Sequence, residues 1–210
     1  MPKPMFVWSG SAWVSVASEV ESLAGFATQS YADNVPGSKL IVPSSISVGS
    51  GSGSVNSNGT ITISNSSSLT ANGVFSSTYK TYKILVSNTT ATALTNCYLQ
   101  FTSSGTPDTN TAYHWLRLAI ANASVAGAAV ASQAQWILGR IDTTKSQIES
   151  IVSNPNVAET KSYMGVGGGR SNSALFTGDF SNSTSFDGFK LFFDSTTTIS
   201  GTISILGYKN

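Results

Sequence analysis

Ser200-Gly201-Thr202-Ile203-Ser204-Ile205-Leu206-Gly207-Tyr208-Lys209-Asn210 closes the chain and decides its fold class. Ile203 and Ile205 alternate with Thr202, Ser204 and Leu206, which is the two-residue period of a strand with one greasier face. The run follows Phe189-Lys190-Leu191-Phe192-Phe193-Asp194, a second β-prone stretch, across the turn-rich Ser195-Thr196-Thr197-Thr198. A terminus frays unless a sheet holds it. A strand this close to the last residue is therefore expected to complete a sheet at its end.

The same signature recurs upstream. Thr60-Ile61-Thr62-Ile63-Ser64 alternates cleanly after the hairpin-turn signal Asn56-Ser57-Asn58-Gly59. Residues 40–43, 46–48, 80–87, 97–102, 113–120, 134–139 and 173–180 are further β-prone runs, most of them separated by polar turns. About eight strands in this arrangement predict an all-β fold with a β-sandwich or jelly-roll-like head. Gly49 to Ser54 reads as a flexible Gly/Ser segment. Ala119 to Ala134 and Thr143 to Val152 each leave room for a helical turn. Residues 153–170 read as a long loop around Gly165-Val166-Gly167-Gly168-Gly169.

Composition narrows the class of function. Of the 210 residues 40% are hydrophobic, 10% aromatic and only 10% charged, with a net charge of +1. The surface must therefore be built from Ser, Thr, Asn and Gly, and much of so weakly charged a surface is expected to be covered by partners. No basic stripe is present, which argues against nucleic acid as a partner. No apolar run reaches the length of a membrane helix, and no secretion signal is visible at Met1-Pro2-Lys3-Pro4-Met5. The expectation is no membrane insertion and synthesis in a cytoplasm.

The N-terminal part differs from the rest. Phe6-Val7-Trp8 and Trp13-Val14-Ser15 flank Ser9-Gly10-Ser11 and predict a miniature hairpin over residues 1–17. A lone two-stranded hairpin is marginal in water, so Phe6, Trp8 and Trp13 are expected to anchor on another surface. Residues 18–38 read as a short helical neck. Ser18 and Glu21 fit a capping box, and Val20, Leu23, Ala27 and Tyr31 recur at helical steps. A stripe this short does not make an isolated coiled coil, but it suffices as a trimer neck if a trimeric body holds three copies together. The sandwich domain then spans residues 39–210.

Catalytic chemistry needs converging titratable groups, and they are sparse. His114 is the single histidine, between Tyr113 and Trp115 in a β-prone run, and it reads as packed or surface-exposed. Cys97 is the single cysteine, which excludes an internal disulfide framework, and its apolar neighbours make it a buried, inert thiol. The Gly165–Gly169 run lacks the Gly-Lys-Ser/Thr ending of a phosphate loop and reads as a flexible loop or a tight backbone approach. Asp179, Asp187 and Asp194 sit in turn-like contexts without the spacing of a calcium loop. No catalytic, cofactor-binding or metal-ligating set is assigned, and the protein is expected not to be an enzyme. Aromatic rings on a polar sandwich could also stack on sugars, so a carbohydrate-binding module is an alternative.

Three local patterns carry a resemblance. Phe6-Val7-Trp8-Ser9-Gly10-Ser11-Ala12-Trp13-Val14 resembles the short Trp-x-Gly-x-x-Trp element at the N-terminus of phage tail and fibre proteins. Phe26-Ala27-Thr28-Gln29-Ser30-Tyr31-Ala32-Asp33 is similar to linker helices of phage fibre stalks. Asn72-Gly73-Val74-Phe75-Ser76-Ser77-Thr78-Tyr79-Lys80-Thr81-Tyr82-Lys83-Ile84, with Trp115-Leu116-Arg117 and the closing strand, resembles a β-sandwich domain of phage virion proteins. Leu206 stands where that closing strand often has tyrosine. The resemblance implies a structural protein of a bacteriophage virion, a homotrimer with an N-terminal anchor and a head that binds other virion proteins or a host-surface glycan or protein. A tail fibre or appendage is the first expectation. A capsid decoration, cement or head-fibre protein is the alternative.

Overall fold

The computed structural model describes residues 6–8, 13–15, 37–121, 124–169 and 172–209. The chain falls into two compact units, residues 1–37 and 38–210. In the first, β1 (Phe6–Trp8) pairs antiparallel with β2 (Trp13–Ser15), Phe6 opposite Ser15 and Trp8 opposite Trp13. The expected neck, with Val20, Leu23, Ala27 and Tyr31, lies outside the described residues. Among the described residues every regular element is a strand.

The second unit begins with β3 (Ser38–Leu40), β4 (Ser45–Val48), β5 (Ser52–Val55), β6 (Ile61–Ser66), β7 (Ser68–Asn72) and β8 (Thr81–Ala91). Next come β9 (Thr95–Ser103), β10 (Thr106–Pro107), β11 (Tyr113–Ala121), β12 (Ser124–Gln133) and β13 (Trp136–Ile141). The chain finishes with β14 (Ser146–Ser153), β15 (Lys161–Gly169), β16 (Asn172–Phe180), β17 (Gly188–Phe193) and β18 (Ile199–Tyr208). They form two antiparallel sheets. The larger has ten strands, ordered β12-β11-β16-β15-β14-β8-β18-β6-β5, with β3 beside β18. The smaller has six, ordered β10-β9-β17-β7-β4, with β13 beside β9. Their facing sides enclose one apolar core, the arrangement of a β-sandwich.

Several segments differ from their sequence expectation. Both places left open for a helical turn are strands, β12 and β14, because each finds a cross-strand partner that outweighs weak local propensity. The expected loop over 153–170 contains β15, and its glycines mark close packing. A Cβ at Gly167 would fall 2.8 Å from Ile148, and one at Gly139 on β13 would fall 2.7 Å from the same side chain. Two glycines from facing sheets thus make room for one buried isoleucine. The Gly/Ser segment supplies β5, paired with β6 from Ser52↔Ser64 to Val55↔Ile61.

The closing strand does not end the sheet. β18 lies inside it, with β8 along one edge and β6 then β3 along the other. Ile203 and Ile205 are fully buried, while Thr202, Ser204 and Leu206 are half-covered. A strand with no strongly polar face suits an interior place. The ring of Tyr79 lies over Gly207, where a Cβ would come within 2.6 Å of it. The Tyr82 hydroxyl accepts from the Ser76 N–H at 2.8 Å and donates to the Ser76 carbonyl at 3.0 Å. Phe75 packs edge-on against Tyr82 at 4.8 Å. The Val74–Tyr82 stretch and the closing strand, far apart in sequence, are therefore one packing unit.

Aromatic rings cross-link the layers. Phe101 on β9 packs against Trp136 at 5.0 Å, Phe186 at 4.9 Å and Phe180 of the larger sheet at 5.6 Å. Trp136 on β13 stacks on Tyr163 of β15 at 4.3 Å. Each polar handle is used: the Trp136 indole N–H donates to the Asp179 carbonyl at 3.0 Å and the Tyr163 hydroxyl to the Ile137 carbonyl at 2.9 Å. Lys161 is fully buried, and its ammonium donates to the carbonyls of Glu159, Asn182 and Thr184.

Candidate interaction surface

The outward sides of the two sheets differ in chemistry. On the smaller sheet the side is polar. Asp194 at the end of β17 accepts from the Asn96 N–H at 2.8 Å, the Tyr98 hydroxyl at 2.9 Å and the Thr95 hydroxyl at 3.2 Å. Partial burial raises its carboxyl pKa, but these donors outweigh burial and hold it below the ordinary carboxylate value. Tyr98 stacks on Phe192 at 5.2 Å, and the Lys190 ammonium lies 5.7 Å from the Phe192 ring.

The larger sheet is apolar on its outward side at the β12 end. The pleat sends alternate residues of each strand to opposite faces. On β11, Tyr113 is buried in the core while Leu116, Leu118 and Ile120 point out and are exposed. On β16, Ala174 and Phe176 face in and Leu175 faces out; on β15, Met164 and Val166 face out. The register aligns them. Val166 lies opposite Leu175, Leu175 opposite Leu118, and Leu118 opposite Gly127 of β12. Val125 on β12 extends the row beside Ile120 and is 66% exposed.

Among the described residues nine large apolar side chains are exposed, and seven of them lie on this one face. Leu116, Leu118, Met164 and Leu175 line a shallow depression of about 390 Å³. The polar border lies toward β8, where Lys83 and Glu149 form an ion pair at 2.7 Å. Monomeric soluble proteins seldom leave a contiguous apolar patch of this kind uncovered. The chemistry available here is recognition of another apolar surface.

Of the groups considered from sequence, Gly165 lines the same depression. His114 is half-buried on β11, opposite Asp179 on β16. Cys97 is free and buried, and burial pushes its thiol up to about 12, so it is not a nucleophile at neutral pH. Asp187 accepts from the Ser104 N–H at 3.0 Å and fixes the β9–β10 turn. Among the described residues no group of three or more His, Cys, Asp or Glu side chains is placed to hold a metal. The backbone of Phe6, Trp8 and Trp13 is brought into one hairpin. Sequence reasoning missed the apolar face. The available signal was local: Leu116, Leu118 and Ile120 fill one parity of β11 while Tyr113, Trp115 and Ala119 stand at the other, and Leu175 lies between Ala174 and Phe176 on β16. A strand apolar on both sides is normally covered on both.

No protein-family model matches the chain, and no curated protein matches it. Among solved structures it is similar to peanut lectin with a nine-residue peptide, at 11% identity over 81% of this chain and 97% of that chain, with a TM-score of 0.26. It is also similar to a Lotus tetragonolobus seed lectin, at 7% identity over 84% of this chain and 100% of that chain, with a TM-score of 0.20. Both overlaps are too loose to bear on fold or ligand.

Proposed function

We propose that this protein is a non-enzymatic structural component of a phage particle, an appendage on tail or capsid. What supports an assembling role is the uncovered apolar face of the larger sheet: a body built to stand alone in water would not present it. The phage assignment rests on the sequence resemblance of residues 6–14, 26–33, 72–84 and 115–117 and the closing strand. In this reading Phe6, Trp8 and Trp13 anchor the chain to the particle. Val20, Leu23, Ala27 and Tyr31 hold three copies at a neck. The Leu118–Leu175 face is covered by a protein neighbour.

The carbohydrate-binding alternative needs ring faces open to a sugar. Among the described residues Trp136, Tyr82, Tyr113 and Tyr163 are spent in the core, Tyr98 and Phe192 stack on each other, and Trp115 and Tyr208 are half-buried. Deleting residues 1–17 tests the anchor. The expected outcome is a folded body, seen as unchanged β-sheet circular dichroism, that no longer co-purifies with particles. Normal incorporation of the truncated chain would rule the anchor out.

A further inference from the structure

β12 ends the larger sheet, and its outer edge pairs with no strand among the described residues. Its ladder to β11 is regular from Ala121↔Ser124 to Trp115↔Val130, and irregularity begins only beyond Val130. Among the described residues, the outward main-chain donors and acceptors of Ser124 to Val130 meet no partner strand.

Natural sheets guard such edges with short strands, charges, prolines or bulges. The other end of this sheet follows that rule: β5 has 4 residues, and β3, which lies outside β18, has 3. β12 has 10 residues, Ser124-Val125-Ala126-Gly127-Ala128-Ala129-Val130-Ala131-Ser132-Gln133, without a charge or a proline. It is exposed along most of its length on both faces. Most of its side chains are small and leave room for an approaching strand.

We infer that β12 is a self-pairing edge: the β12 strands of two copies join antiparallel across a twofold axis and continue the sheet from one body into the next. An open row of amides and carbonyls specifies its occupant as an extended strand, and every copy carries one. Across a twofold residue i of one strand meets residue j of the other and j meets i, so a strand carrying several charges of one sign would repel its copy. β12 carries no charge, so that repulsion is absent. The apolar face runs out to this edge through Val125 and Ile120, so pairing also merges two such faces into one. The inference stands independently of the phage assignment. It doubles whatever number of copies the 18–38 segment holds together.

The test is the solution mass of the full chain, by light scattering, for the natural sequence and for Ala129→Lys and Ala129→Glu. Ala129 is exposed near the middle of β12. The expected result is an even number of copies in the natural protein and half that mass in each variant alone. Mixing the two variants restores the full mass, which also shows that both remain folded. Hydrogen exchange supplies a second readout: the outward amides of Ser124 to Val130, every second one, are protected in the natural protein and exchange at least tenfold faster in Ala129→Lys. A natural protein with an odd number of copies, or a mass unmoved by either substitution, overturns the inference.

Discussion

Single residues show where local chemistry was legible and where it was not. Cys97 was legible, because an apolar neighbourhood in a strand buries a thiol whatever the rest of the chain does. Lys161 was not: its burial depends on the carbonyls of Asn182 and Thr184, contributed by a distant segment. Tyr79 and Tyr82 could be recognised as a motif, but Gly207, which admits the Tyr79 ring, lies at the other end of the chain. Asp194 gives a pH test at this scale. Its folded carboxyl ionises below the unfolded value of about 3.9, so the stability it contributes is present above that value and is lost as pH falls through the folded one. Asp194→Asn is expected to lower stability at pH 7 by about 1 to 2 kcal/mol. Urea midpoints followed against pH should converge for the two proteins as the pH drops below about 4. A gap independent of pH would mean that the carboxylate charge is not what the three donors hold.

At the scale of elements, strands with clean alternation or with strong apolar and aromatic runs, such as β9, β13 and β17, were legible, and most strands without either were not. β6 and β18 alternate and were predicted. β12 is a run of small residues, β15 is nearly half glycine, and β7 is short and polar. Their strand character comes from neighbours that the sequence does not name. The expectation that β18 completes a sheet edge failed because a chain terminus need not be a sheet terminus: β3 and β6 cover the side left open by β8. The outward rows of β11, β15 and β16 carry the functional claim, and substitution there separates folding from assembly. Leu175 is 58% exposed, so Leu175→Asp is expected to cost about 1 to 2 kcal/mol through its cross-strand partners Val166 and Leu118, too little to unfold the body. Placing a carboxylate in a face that a neighbour must bury is expected to remove the chain from purified particles, as read by immunoblot. Loss of folding in this variant would place Leu175 in the protein's own core.

At the scale of the whole molecule, composition was the most informative sequence feature. The surface of a chain with only 10% charged residues was expected to be covered, and among the described residues seven of the nine exposed large apolar side chains lie at one end of one sheet. The two-sheet body follows from the strand-and-turn rhythm. Its division into ten and six strands does not, because sheet membership is set by pairings between distant segments. The central claim is that this body is a fixed, non-catalytic part of a phage particle whose apolar face is covered by protein. An electron cryomicroscopy reconstruction of the particle tests it most directly. The account predicts density for the sandwich on the particle, with the Leu118–Leu175 face against a protein neighbour. A particle without the chain, or one that carries it with that face open to solvent, would contradict it.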